Sequence, residues 1–174
     1  MPKFLIGERL YLRSLEKDDL EQCMKWINDP EIRCLTAFDE RSFNKIKEEE
    51  WFEKVNKDKN VILFAICSND SKLIGNLSLN IHLRNATLGI MIGEKEYWNR
   101  GYGTEAIRLV LDYCFNTLNL HRVALWVFEF NERAIKCYEK VGFKREGIAR
   151  EVVYKKGRYW DDIKMGILKQ EWSK

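Results

Sequence analysis

Residues 99–104 read Asn-Arg-Gly-Tyr-Gly-Thr, and a helix-forming run follows them directly. Glycines at 101 and 103 let backbone come close to a ligand with no Cβ in the way. A helix opened by such a loop presents unpaired amides and the positive end of its dipole. Together these features describe a cradle for an anion, above all a phosphate or pyrophosphate. Arg100 can add a charge to it. A second chemistry-bearing stretch lies at 131–143, Asn-Glu-Arg-Ala-Ile-Lys-Cys-Tyr-Glu-Lys-Val-Gly-Phe. Asn131 opens a helix there, and Tyr138 falls seven residues later, two turns along the same face.

The loop formally satisfies the dinucleotide pattern G-x-G-x-x-G/A through Gly101, Gly103 and Ala106. Its context does not fit that use. In a dinucleotide-binding unit the first glycine follows a strand directly, near the start of the domain. Here the preceding strand ends near Gly93, seven more residues intervene, and half the chain has already passed. No Gly-Lys-Ser/Thr triplet supports a Walker loop either.

The elements that must position these residues follow from hydrophobic periodicity. Residues 9–15 alternate as a first strand. Residues 16–29 carry Leu20, Met24 and Ile27 at helical spacing, with Pro30 after the end. A second helix spans 42–57, with Ser42 as its expected cap. The unbroken apolar run 61–67 predicts a buried strand. Strands over 73–81 and 86–93 precede the loop, and a helix with a wide apolar face runs over 104–120. A strand at 122–129, a helix at 131–142 capped by Asn131 and ended by Gly142, and a hairpin over 150–168 turning at Lys156-Gly157 complete the chain. The order β-α-α-β-β-β-α-β-α-β-β predicts an α/β domain, a mixed sheet with helices on its faces. With no repeat, no low-complexity tract and no linker, residues 1–174 are expected to form a single domain.

Composition narrows the function classes. A net charge of +3, with 30 basic and 27 acidic residues interspersed, suits a small anionic ligand but is too weak to predict nucleic-acid binding. No apolar stretch reaches membrane-spanning length and no secretory signal is visible, so a cytoplasmic protein that meets no membrane is expected. Five cysteines without a C-x-x-C pair, and only two histidines, predict reduced thiols and no metal site. Cys67, Cys114 and Cys137 sit in apolar runs and read as small buried hydrophobes.

Loop, helix, strand, and then N-x-x-A-x-x-x-Y-x-x-x-G-F occur here in a fixed order, and this resembles the GNAT superfamily of acyl-CoA N-acyltransferases. The stretch from 86 to 172, and the opening at 9–20, look most like the branch that holds ribosomal-protein N-terminal acetyltransferases and spermidine acetyltransferases. The resemblance covers nearly the whole chain. It implies the GNAT fold, a mostly antiparallel seven-stranded sheet flanked by helices, with acetyl-CoA (coenzyme A) as cofactor. The family's pyrophosphate loop, Q/R-x-x-G-x-G/A, falls on Trp98-Asn99-Arg100-Gly101-Tyr102-Gly103, with Trp98 in place of the polar first residue. Backbone amides from Arg100 through Gly101, Tyr102, Gly103 and Thr104 would hold the pyrophosphate. Ile90, Met91 and Ile92 match the strand whose free edge pairs with the pantetheine arm. Asn131 would contact the pantetheine, and Ala134 beside it is small enough to let the cofactor pass. Tyr138 matches the family's general acid, a phenol able to protonate the leaving thiolate. Read without the resemblance, it is a buried tyrosine.

The base is not evident. Where related enzymes often carry a glutamate before the loop, this chain has Thr87, which cannot accept a proton. Glu129 is a substitute or merely a solvated charge, and His82 reads as structural. The expected reaction is direct attack of a primary amine on the acetyl thioester. An α-amine with a pKa of about 7.7–8.0 is roughly a tenth neutral near pH 7, whereas a lysine-like amine at about 10.4 is neutral in fewer than about one molecule in a thousand. A site without a strong base therefore points to a protein or peptide N-terminus as acceptor. A polyamine such as spermidine, or another small amine, is the alternative. A polyamine site should show clustered carboxylates, and the candidate cluster Glu48-Glu49-Glu50 reads as a solvated helix face. A non-catalytic acyl-CoA-binding module remains a third reading. Residues 38–43 and the hairpin around 154–160 are expected to border the acceptor cleft. The oligomeric state, monomer or homodimer, is left open by the sequence.

Overall fold

The computed structural model describes residues 2–36 and 44–172. One mixed sheet of eight strands organises it, in the spatial order β1-β2-β3-β4-β5-β6-β8-β7. The strands are β1 Leu5–Ile6, β2 Leu10–Ser14, β3 Val61–Ser68, β4 Leu73–His82, β5 Asn85–Ile92, β6 Arg122–Phe128, β7 Lys144–Lys155 and β8 Arg158–Leu168. The eighth strand relative to the expected seven is β1, a two-residue edge paired with Tyr11 and Leu12. Every pairing is antiparallel except β5 with β6.

Helices α1 Leu20–Asn28, α2 Pro30–Cys34 and α3 Lys45–Lys57 precede β3, whereas α4 Tyr102–Asp112 and α5 Glu132–Val141 flank β6. The alternation of the strands sorts side chains into two cores. Leu77, Leu88, Val123, Leu125, Met165 and their like pack with α4 and α5. Tyr11, Ala65 and Cys67 face the other way and pack with Leu20, Cys23, Trp26 and Phe52 of α1 and α3. The sheet is thus covered on both faces, which an isolated amphipathic layer requires.

Local chemistry explains most element ends. Asn131 caps α5 by accepting the Ala134 N–H at 3.3 Å, and Gly142 ends it with a left-handed φ of 111°. At the β7–β8 turn Lys156 and Gly157 both have positive φ, 54° and 79°, as a tight two-residue hairpin demands. Several sequence expectations change. Pro30 does not merely follow a helix: it is the first residue of α2, with Asp29 as cap accepting from the Glu31 and Ile32 amides at 2.9 and 3.2 Å. β7 begins at Lys144, six residues before the expected start, because its early residues are mostly exposed and two register irregularities break their alternation. The helix at 104–120 is α4 followed by one wider turn of π type over Tyr113–Thr117. Asn44, through its side chain on the Lys47 amide at 3.0 Å, caps α3; Ser42 lies outside the described residues.

Candidate active site

β5 and β6 pair only through Asn85–Thr87 and Arg122–Ala124. Beyond Thr87 the two strands diverge, and the β6-facing edge of residues 88–92 has no strand partner. A cleft of about 770 Å³ occupies this opening. It lies within the range of small-molecule sites. One wall is β5 with Ile90, Met91 and Ile92; the far wall is α5 with Asn131, Ala134 and Tyr138; the start of α4 with Gly101, Gly103 and Thr104 closes one end. Thus nine of the eleven site residues expected from sequence line a single cavity. The side chains of Arg100 and Tyr102 do not. Arg100 is exposed and its carbonyl accepts from Arg9 Nη1 at 2.6 Å, while the Tyr102 ring packs edge-on against Tyr97.

The cradle has the features that anion binding requires. Gly101 is the N-cap of α4 with φ 84° and offers no capping side chain, and the first amide to bond back is that of Glu105, to the Gly101 carbonyl at 3.0 Å. A Cβ built on Gly103 meets only Ile92 and Cys137, at 3.7 and 3.8 Å. Those are ordinary contacts, so no protein neighbour demands a glycine there. Gly103 lines the cleft. Arg9, which the sequence reading did not single out, braces the loop: its backbone and Nε donate to Glu105 at 2.9 and 2.8 Å. Trp98, standing where the family has a polar residue, donates its indole N–H to the Ile92 carbonyl at 2.7 Å and carries the Arg133 guanidinium 3.6 Å above its ring. It ties the loop to the end of β5.

Tyr138 is buried, and its ring packs against Phe143 at 5.9 Å. Its hydroxyl makes no hydrogen bond with a described residue. Burial pushes its phenol well above the ordinary range, with the neighbouring Cys137 adding to the effect, so the group stays protonated. Cys137, expected to be a buried hydrophobe, also lines the cleft, 3.2 Å from Thr104 Oγ1. Asn131 spends its carbonyl oxygen on the α5 cap, and its amide reaches the Leu35 carbonyl at 3.5 Å.

Of the candidate bases, Thr87 and Glu129 are both exposed and neither lines the cleft; Glu129 instead accepts from the Asp161 amide at 3.4 Å. His82 is exposed at the end of β4. The sequence reading missed Asp162. It sits on β8 opposite Phe128 of β6 and lines the cleft, the one carboxylate among the described residues to do so. Its Oδ1 is buried without a hydrogen-bond partner, and burial raises its carboxyl above the usual range, partly offset by the Ile163 amide. Half-exposed Trp126 lies two residues from Phe128, on the same side of β6. The signal was present as alternation: Ile163, Met165 and Ile167 are core, so 160, 162 and 164 face away from it. Residues 38–43, expected at the acceptor side, lie outside the described residues. Glu48 departs from its expected solvated position, being buried on α3 with its carboxyl raised by desolvation.

A sheet splayed at β5/β6, a glycine-rich helix start at one end of the gap and an asparagine-capped helix along it define an acyl-CoA N-acyltransferase. Residues 9–144 match the acetyltransferase (GNAT) domain family, and the chain belongs to that family. It is 33% identical to a spermidine N(1)-acetyltransferase of Vibrio cholerae, over 96% of this chain and 97% of that protein. It is 32% identical to a probable N-acetyltransferase of Bacillus subtilis, YjcK, over 94% of this chain and 96% of that one. The crystal structure of spermidine N-acetyltransferase from Vibrio cholerae in complex with CoA and spermine superposes with a TM-score of 0.87 at 32% identity, covering 95% of this chain and 98% of that one. The protein is an N-acetyltransferase with acetyl-CoA as cosubstrate. Among the described residues, no helix is long and apolar enough to cross a membrane.

Proposed function

We propose that the acceptor is a small aliphatic polyamine of the spermidine type, acetylated on a primary amine. One observation carries this reading: the match to spermidine acetyltransferases runs over almost the whole of both chains. The peptide α-amine expected from sequence rested on the lack of a base. That reason lapses once a carboxylate, Asp162, lines the cleft.

Bound acetyl-CoA supplies an activated acetyl group as a thioester. The chain's own residues do the rest. The amides from Arg100 to Thr104 hold the pyrophosphate at the positive end of α4. The free edge at Ile90, Met91 and Ile92 aligns the pantetheine arm, and Asn131 and Ala134 border its path. The Tyr138 hydroxyl, unengaged by described residues, donates a hydrogen bond to the sulfur as charge grows there, and the proton follows as the thiol leaves. Such alignment turns an encounter between two molecules into a reaction within one complex.

The test is product identity. The protein is incubated with acetyl-CoA and an equimolar mixture of spermidine and a peptide with a free N-terminal alanine, and the products are read by mass spectrometry. Acetylspermidine as the main product supports the proposal. Acetylated peptide alone restores the α-amine reading, and no product with acetyl-CoA bound points to a binding module.

A further inference from the structure

Asp161 and Asp162 are adjacent but live in different circumstances. Asp161 is engaged: its Oδ1 accepts the Glu151 amide at 2.8 Å and its own amide donates to Glu129. Asp162 points to the other side of the sheet. There its Oδ1 is shielded from water, and no described residue donates to it. A buried carboxylate oxygen without a donor is costly to a fold. Such a cost is retained where the group serves a ligand.

The surroundings identify that ligand by charge. Phe128 stands opposite Asp162 in the β6–β8 register, and Trp126 lies two residues earlier on the same side. Both line the cleft, as does Tyr138. Aromatic faces beside a carboxylate suit a cation that carries hydrogen-bond donors. The cations that neighbouring elements bring to this end are already committed. Lys155 of β7 lies over Phe128 with its ammonium on the Arg33, Cys34 and Thr36 carbonyls, and Lys164 of β8 lies over Trp126. Neither forms an ion pair with Asp162. Arg133, Lys136 and Lys140 of α5 also line the cleft, with Cys137 and Tyr138.

We propose that Asp162 is the acceptor-side base: its carboxylate receives the ammonium of the incoming amine and takes from it the proton whose loss frees the nitrogen lone pair for attack. The inference rests on acetyl transfer to an amine, and holds for a polyamine or any other primary amine. The step balances. The nitrogen lone pair forms the C–N bond to the acetyl carbon and the C–S bond breaks. The ammonium gives one proton to Asp162, which releases it to solvent; the leaving thiolate takes a proton from Tyr138, and the second proton lost from nitrogen as the amide forms restores the Tyr138 hydroxyl by way of solvent. Burial, by raising the Asp162 carboxyl, makes it a better proton acceptor than an exposed aspartate.

The test is Asp162→Asn, which keeps the shape and removes the charge. With spermidine, kcat/KM near pH 7.5 should fall about 100-fold, the scale of a general base, while acetyl-CoA affinity by calorimetry stays within about twofold of wild type. The variant's rate should climb about tenfold per pH unit as free amine accumulates, narrowing the gap at high pH. Wild-type kcat/KM across the pH range overturns the proposal. A second measurement needs neither turnover nor a variant. The Asp162 carboxyl carbon, followed by NMR in protein saturated with coenzyme A, should shift when spermidine is added and stay fixed with an uncharged diol of similar length. No shift at saturating spermidine also overturns it. If wild type acetylates only the alanine peptide, the polyamine reading fails, and the same comparisons made with that peptide decide Asp162 separately.

Discussion

Lys155 of the last hairpin donates its ammonium to the Thr36 carbonyl at 2.5 Å, and also to the carbonyls of Arg33 and Cys34 at 2.9 and 3.3 Å. A buried cation thereby caps the C-terminal end of α2 and joins it to β7. α2 carries Ile32, and Leu35 and Thr36 follow it, all three lining the cleft. The clamp fixes one wall of the cleft. Lys155→Met should lower stability by about 2–3 kcal/mol, the worth of hydrogen bonds to a buried charge, measured by urea unfolding. It should raise KM for the amine more than for acetyl-CoA, because the phosphate loop is untouched.

Tyr138→Phe removes one oxygen from the cleft and leaves the ring packed on Phe143. Turnover should fall by about 10²–10⁴-fold, the usual contribution of a positioned proton donor. Acetyl-CoA affinity by calorimetry should hold. An unchanged rate would remove the general-acid role.

Gly103→Val tests the cradle. The first carbon of a side chain at 103 finds tolerable neighbours in Ile92 and Cys137, so the fold should survive, with a melting temperature within a few degrees of wild type. Acetyl-CoA affinity should drop at least about tenfold, because the branched group enters the space left for phosphate. Intact affinity in the folded variant would place the pyrophosphate elsewhere.

Asp162 also links stability to pH. Its carboxyl is raised by burial, so over the window between its ordinary and raised values the folded state binds more protons than the unfolded state. Stability from this group therefore falls as pH rises through that window, and the deficit persists above it. Glu48 acts in the same direction. Asp162→Asn removes the ionisable group, so it should be as stable as wild type or more so at neutral pH, and should lose less stability between about pH 4 and 7. Thermal melts across that range check it. A variant less stable at pH 7 would mean that the carboxylate is satisfied in the fold.

Much of this was legible in the chain. Asn131, Gly142 and the Lys156-Gly157 turn announce themselves because capping and positive φ are local demands. The loop at 98–104 and Tyr138 are legible as a pair through their order and the helix between them. What escaped depends on tertiary placement. Pro30 is compatible with the end of one helix or the start of another, and Asp29 decides between them only once its side chain is seen on the amides. Glu48 shares a triplet with Glu49 and Glu50, and only the docking of α3 determines which of the three turns inward. Asp162 stands next to another aspartate, and the β6–β8 register separates the one tied to backbone from the one facing the cleft. The absence of a base in the sequence reading followed from that omission, and so did its preference for an α-amine.

The most direct measurement is steady-state thiol release from acetyl-CoA, run separately with spermidine and with peptides bearing free N-terminal Ala or Ser, from about pH 6.5 to 9.5. The expected result is saturable release with spermidine, sustained near neutral pH, at a kcat/KM well above that for any peptide. Release with peptides alone, or none with spermidine while acetyl-CoA binds tightly, would contradict the polyamine assignment.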